Sequence, residues 1–275
     1  MPGVPKPQHR LPGPPDIAYV RCGQGPPLMF LHGIGGNHSN WNAQLARFQD
    51  SYQCFAWDAR GYGESQDYPE ALEFEFFADD LNRLMDHENI ERAHLAGLSM
   101  GARILLDFVA RYPQRVASLI LCDCFYAFDQ SLTPAKQAEF IALRQRPLLE
   151  GKTLAELAPT LINSLVSPDC TAAVRDQLRV SIEALHVGSY LKTLAASIGY
   201  NRTAALDSIR IPVQLIFGAD DRLTPASIGQ DMQTRIAHAR LAVIPHAGHL
   251  SNMEQAEQFN QVVADFLNDV EKNES

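Results

Sequence analysis

The string Gly97-Leu98-Ser99-Met100-Gly101 sets a hydroxyl between two glycines. A serine alcohol has almost no nucleophilicity at neutral pH, so chemistry at Ser99 needs a base within hydrogen-bond reach and a third group to orient that base. The glycines permit a strained strand-to-helix turn that holds the serine oxygen out in a crevice. The string alone is short enough for chance to supply, so its weight depends on its surroundings.

Two histidines stand in Pro245-His246-Ala247-Gly248-His249-Leu250-Ser251. His249 is the expected base, because the glycine before it allows a tight loop to project it inward, whereas His246 is left a loop or solvent hydrogen bond. For the orienting acid, Phe217-Gly218-Ala219-Asp220-Asp221-Arg222-Leu223-Thr224-Pro225 offers Asp221, preferred over Asp220 because adjacent residues point in different directions. Asp123 is a rival, since it also follows the end of a strand. In Leu31-His32-Gly33-Ile34-Gly35-Gly36 the glycines let backbone amides point inward, so the expected oxyanion donors are the amides of Ile34 and Met100. His32 is expected to brace this loop rather than act as a base. The chain order Ser99, Asp221, His249 is the one expected when the nucleophile sits on such an elbow.

Other chemistries fit less well. His246, His249, Asp220 and Asp221 show no recognised ligand spacing, so no metal is expected, and no cofactor. The glycines after His32 lack the following Lys and Ser/Thr of a nucleotide loop.

The elements that would carry these residues follow from periodicity. Short apolar runs at Ile17 to Cys22, Leu28 to Leu31, Phe55 to Trp57, Ala93 to Leu98 and Ala117 to Cys122 read as strands. Between them, Phe76 to His87 and Ala102 to Tyr112 show apolar residues at helical spacing. From about Phe125 to Asp207 this alternation breaks, and Leu132 to Leu149, Ala155 to Leu165 and Ala172 to Leu185 read as amphipathic helices. Alternation resumes with Val213 to Phe217, Pro225 to Ile236, Leu241 to Ile244 and a last helix from about Asn252 to Leu267. The expected fold is α/β, a mostly parallel sheet flanked by helices, with its ligand crevice outside the carboxyl ends of the strands. The core spans 16–124 and 208–275, a helical cap spans 125–207, and residues 1–15, with six prolines, form a flexible tail.

The chain has 275 residues, 46% hydrophobic and 20% charged, which suits one packed catalytic domain. A net charge of −9 disfavours nucleic acid and anionic membranes as partners. Five cysteines without regular spacing give no disulfide framework, and Cys122 and Cys124 are expected to be buried free thiols on one face of a strand. The tail lacks the apolar stretch of a signal peptide, and no later run approaches the roughly 18 apolar residues of a membrane span, so a cytoplasmic location is expected. Oligomeric state is not readable.

Together, Leu31 to Gly36, Asp58-Ala59-Arg60-Gly61-Tyr62-Gly63-Glu64-Ser65, the Ser99 elbow, Gly218 to Pro225 and Gly248-His249 resemble the α/β-hydrolase superfamily across nearly the whole chain after the tail. Within it, His249-Leu250-Ser251-Asn252-Met253-Glu254-Gln255 resembles the 3-oxoadipate enol-lactone hydrolase branch, which shares most of these strings with carboxylesterases. The resemblance implies hydrolysis of a small-molecule ester or lactone through an acyl-enzyme. Carbon-carbon bond hydrolases, cofactor-free oxygenases or perhydrolases, and ligand receptors without turnover are alternatives on the same scaffold. Trp41, Leu185, His186, Tyr190 and Leu191 are the candidates for lining the substrate pocket.

Overall fold

A computed structural model describes residues 7–128, 133–197 and 199–274. Residues 1–6 of the expected tail and Leu132 at the start of an expected helix lie outside these ranges. The strands are β1 (His9–Leu11), β2 (Ile17–Cys22), β3 (Pro27–Leu31), β4 (Gln53–Trp57), β5 (Ala93–Leu98), β6 (Val116–Cys122), β7 (Val213–Gly218) and β8 (Arg240–Ile244). They form one sheet in the order β1-β2-β4-β3-β5-β6-β7-β8. From β4 to β8 every neighbour is parallel, while β2 runs antiparallel to both β4 and β1. Every residue of β5, β6 and β7 is buried, as expected of parallel strands covered by helices on both faces.

Helices α1 (Asn42–Phe48), α2 (Glu75–His87) and α3 (Met100–Arg111) follow β3, β4 and β5. On α2 the buried residues Phe77, Ala78, Leu81, Leu84 and Met85 recur at three- and four-residue intervals, one helical face laid on the sheet. Between β6 and β7 the chain forms α4 (Pro134–Leu149), α5 (Leu154–Leu165), α6 (Ala172–Glu183), α7 (Val187–Ala196) and α8 (Thr203–Ser208). The last elements are α9 (Ala226–Arg235), α10 (Ser251–Glu254) and α11 (Ala256–Glu274).

The expectation of a wholly flexible tail is corrected at His9–Leu11. There β1 pairs with β2, Leu11 is buried opposite Ile17, and the His9 ring stacks on Tyr19 at 5.4 Å. Three residues are too few to show a period, which hid this strand among the prolines.

The parallel run has a direct consequence for chemistry. The ends of β3, β5, β6, β7 and β8 lie along one edge, so the loops beginning at His32, Ser99, Asp123, Ala219 and Pro245 become neighbours despite their separation in sequence. Among the described residues no helix is long and apolar enough to cross a membrane.

Candidate active site

The chain turns from β5 into α3 at Ser99, whose φ of 53° and ψ of −108° lie outside the regions that L residues favour. Such a conformation costs about 1–3 kcal/mol and persists only where surrounding contacts fix it. Here the Ser99 amide donates to the Cys122 carbonyl at 2.8 Å, and the Arg103 amide donates to the Ser99 carbonyl at 3.1 Å. The flanking glycines are steric requirements: a Cβ on Gly97 would lie 2.4 Å from the Gly101 carbonyl carbon, and one on Gly101 2.1 Å from the Leu31 oxygen. Ser99 occupies the N-cap position of α3, yet its side chain makes no capping bond. The hydroxyl is thus not consumed by the helix that follows it.

Asp221 and His249 meet. His249 Nδ1 lies 2.8 Å from Asp221 Oδ2, and both side chains are buried. A carboxylate only accepts, so Nδ1 carries the hydrogen and Nε2 keeps its lone pair. The carboxylate is held by further donors: the amides of Leu223 and Thr224 reach Oδ1 at 2.8 and 3.0 Å, and Thr224 Oγ1 reaches Oδ2 at 2.6 Å. Burial raises the Asp221 pKa, but the His249 and Thr224 contacts prevail and its net shift is downward. For His249 burial acts downward, yet the bond to Asp221 and the charges of Asp221, Asp123 and Glu254 turn the net shift upward. The ionised Asp221 carboxylate therefore stabilises a proton on the His249 ring relative to an isolated histidine.

Asp123, the rival acid, has a different task. Its Oδ1 accepts from the Gly218 amide at 2.7 Å and its Oδ2 from Ser251 Oγ at 2.5 Å, so it ties the end of β7 to the start of α10 beneath the histidine loop. Burial and the charge of Asp221 push its pKa up to about 7. Glu254 and Thr224 are the residues that sequence reasoning missed. Glu254 accepts the amides of Gly248 at 3.0 Å, Leu250 at 3.3 Å and Ser167 at 2.7 Å, while the His249 amide donates to the Leu165 carbonyl at 2.6 Å. The histidine loop is in this way fastened to the end of α5 and the chain just beyond it. The signal available for Glu254 was its place in the string after His249, and for Thr224 a hydroxyl three residues past the acid.

His32 is buried between two loops. Its Nε2 accepts from the Ala59 amide at 3.0 Å, so Nδ1 must carry the hydrogen given to the Gly33 carbonyl at 2.8 Å. Protonation would sever the first bond, and burial lowers the His32 pKa to about 4. The ring is a neutral brace for the glycine loop. That loop abuts the elbow: a Cβ on Gly33 would lie 3.2 Å from the Ser99 Cβ. Met100 opens α3, so its amide is one of the four that no intrahelical carbonyl takes.

A cavity of about 190 Å³ lies over this edge, lined by Ser99, His249, Ile34 and Gly33 on one side and by Leu161, Leu178, Leu185 and Tyr190 from the helical insertion on the other. Of the expected pocket residues, Leu185 and Tyr190 therefore face the cavity. Trp41, His186 and Leu191 are corrected: none of them lines it. Trp41 is fully buried against Phe30 and Phe259, with ring centroids at 5.0 and 6.1 Å, because the largest apolar side chain at that junction fills the space between the sheet and α11. His186 is the residue before α7, and Leu191 packs on the core. His246 faces outward to Asp169 at 2.9 Å, and Asp220 is exposed. Cys122 and Cys124 are buried and free.

The chain is similar along most of its length to several known enzymes. It is 29% identical over 256 residues to 3-oxoadipate enol-lactonase 2 of Acinetobacter baylyi, covering 90% of this chain and 92% of that one. It is also 29% identical over 257 residues to a 2-hydroxy-6-oxononadienedioate/2-hydroxy-6-oxononatrienedioate hydrolase of Paraburkholderia phymatum, covering 87% and 86%. Among solved structures, a thermophilic esterase from Thermogutta terrifontis with malate bound superposes with a TM-score of 0.84 at 28% identity, over 93% of this chain and 94% of that one. Residues 26–256, well over half of the sequence, match the family described as the alpha/beta hydrolase fold, to which this chain accordingly belongs.

Proposed function

We propose that the protein is a serine hydrolase of small carboxylic esters or lactones. The observation that carries this is the buried Asp221–His249 pair, whose histidine lines one cavity with a serine held at positive φ and free of any capping bond. In the proposed reaction His249 Nε2 takes the Ser99 proton as Oγ attacks the carbonyl. The amides of Ile34 and Met100 hold the developing oxyanion, and the imidazolium, stabilised by Asp221, protonates the leaving oxygen. Water activated by the same histidine then releases the acid. The helices between β6 and β7 act as the cap that closes over the acyl group and shapes its pocket.

A second reading, cleavage of a carbon-carbon bond beside a carbonyl, uses the same residues; it is favoured by the similarity to the Paraburkholderia hydrolase. Product analysis with ring-fission diketones separates the two. The test of the common mechanism is Ser99→Ala, assayed on short p-nitrophenyl esters and simple lactones. Turnover is expected to fall by roughly 10³-fold or more, and normal turnover by the variant would remove Ser99 from the mechanism.

A further inference from the structure

Cys22 ends β2 and Cys54 stands near the start of β4, and the antiparallel register sets the two directly opposite each other. Opposed residues point to the same face of a sheet, with Cα atoms about 4.5 to 5.5 Å apart. A disulfide spans Cα separations of about 4.4 to 6.8 Å, so the two backbones already stand at the distance such a bond requires. The approach is fixed locally. A Cβ on Gly23, whose φ is +75°, would lie 2.3 Å from the carbonyl oxygens of both Gln49 and Tyr52. Glycine thus lets the end of β2 lie tightly on the turn that enters β4. Both thiols are free, and their distance along the chain hides the pairing that the sheet creates.

The two cysteines differ in access and in charge. Cys54 is fully buried, and its thiol faces the Tyr52 carbonyl at 3.7 Å. Cys22 is partly exposed, because β1 pairs with β2 only as far as Tyr19, so among the described residues no strand covers Cys22 on that side. A hydrogen bond from Cys54 lowers the Cys22 pKa against the upward push of burial, and the same bond raises that of Cys54. Burial raises the thiols of Cys122, Cys124 and Cys170. Cys22 is therefore the cysteine favoured as a thiolate, the form that attacks an oxidant, and it has a second sulfur against it.

We propose that Cys22 and Cys54 form a reversible oxidation site, at which hydrogen peroxide joins β2 to β4 through a disulfide. The Cys22 thiolate attacks one peroxide oxygen: the S–O bond forms, the O–O bond breaks, and the departing hydroxide takes up the proton that Cys22 released, giving water. The Cys54 sulfur then attacks the Cys22 sulfenic acid. The S–S bond forms, the S–O bond breaks, and hydroxide leaves with the Cys54 proton as a second water. Two thiols are oxidised and one peroxide is reduced to two waters. An external thiol reverses the bond by exchange. The disulfide closes the segment from Cys22 to Cys54, which carries β3, the glycine loop after His32 and α1, and so restricts the unfolded chain. The pair lies at the opposite end of β4 from the edge that holds Ser99, so its effect falls on stability.

The test treats the reduced full chain with a small excess of hydrogen peroxide, blocks the remaining thiols with iodoacetamide in denaturant, and maps the peptides by mass spectrometry. Wild type is expected to lose two of its five thiols to a Cys22–Cys54 link and to regain both with dithiothreitol. The oxidised form should melt roughly 5 °C higher than the reduced one. Cys22→Ser should keep all its other thiols under the same treatment and show no shift in melting. Cys54→Ser should stop at the Cys22 sulfenic acid, captured as a dimedone adduct. Five blocked thiols after treatment of wild type, a link between any other pair, or Cys22 carried on to sulfinic acid while Cys54 stays reduced overturns the assignment. A Cys22–Cys54 link that leaves the melting temperature unchanged overturns its effect on stability. Should Cys54→Ser fail to fold, the wild-type map and Cys22→Ser decide.

Discussion

The proximity of Asp221 to His249, and of His249 to the cavity at Ser99, was legible in the sequence because each residue stands in a string whose glycine or strand end directs its side chain. The choice between Asp221 and Asp123 was open there, because both follow strands. The distances favour Asp221 for the proposed mechanism, since of the two it is Asp221 that lies against His249 Nδ1, while Asp123 accepts from Gly218 and Ser251. The two carboxylates should therefore fail differently. Asp221→Asn removes the group that fixes the tautomer and is expected to lower kcat by roughly 10³- to 10⁴-fold. Asp123→Asn keeps an acceptor for the Gly218 amide and should cost at most about tenfold. Both charges raise the His249 pKa, so in wild type the acid limb of the kcat/KM profile should lie above the ordinary histidine value of 6.5. A base works when neutral; removing the Asp123 charge should therefore shift that limb to lower pH. A profile unmoved by Asp123→Asn, or a loss as large as that of Asp221→Asn, would assign the acids wrongly. Trp41 shows the opposite limit, because an aromatic residue near a glycine loop reads alike whether it faces a pocket or a core.

At the scale of elements, long periodic segments were readable and short ones were not. Helix α2 and strands β5, β6 and β7 carry runs of apolar residues whose period identifies them. Strand β1 has three residues, and α1 has seven, although Trp41, Leu45 and Phe48 are spaced as one helical face. The insertion contains α7 and α8 beyond the three helices expected, since short helices there break the pattern that a long window needs. How the insertion grips the histidine loop was illegible for a further reason: the grip runs from a carboxylate to backbone amides, which have no sequence signature. Glu254 supplies it, accepting amides from Gly248, Leu250 and Ser167. Glu254→Ala would strand those donors, at a cost of about 2 kcal/mol, and would free the loop carrying His249. Urea unfolding should register that loss, and kcat should fall by roughly tenfold through misplacement of the base. Glu254→Gln, which retains one acceptor oxygen, should sit between. If Glu254→Ala unfolds like wild type and turns over normally, the three bonds do not hold the loop.

For the whole molecule, proton linkage sets two buried groups against each other. His32 is held neutral, with its pKa lowered from 6.5 to about 4, so between those values the unfolded chain binds a proton that the folded chain refuses. Its contribution is complete above pH 6.5 and is lost as pH falls through 4. Asp123 has the reverse sign: its pKa is raised from 3.8 to about 7, so the folded chain binds the extra proton, and stability is lost as pH rises through that window. Each slope is about 1.4 kcal/mol per pH unit where only one state is protonated. From pH 4 to 6.5 the two oppose, and wild type should owe little net pH dependence to them. Single substitutions expose each slope. Relative to wild type, His32→Gln should be most damaging at pH 6.5 and least at pH 4.5, because wild type itself loses the histidine contribution in acid. Asp123→Asn should gain on wild type as pH rises over the same range. Urea denaturation of the three proteins at pH 4.5, 5.5 and 6.5 measures both trends, and offsets that stay constant with pH would show that neither group titrates in the fold as its surroundings require. The arrangement has a physical origin in the fold itself. Parallel strands bring His32, Asp123, Asp221 and His249 to one buried edge, so the proton affinities that serve the site are also terms in the stability of the domain that holds it.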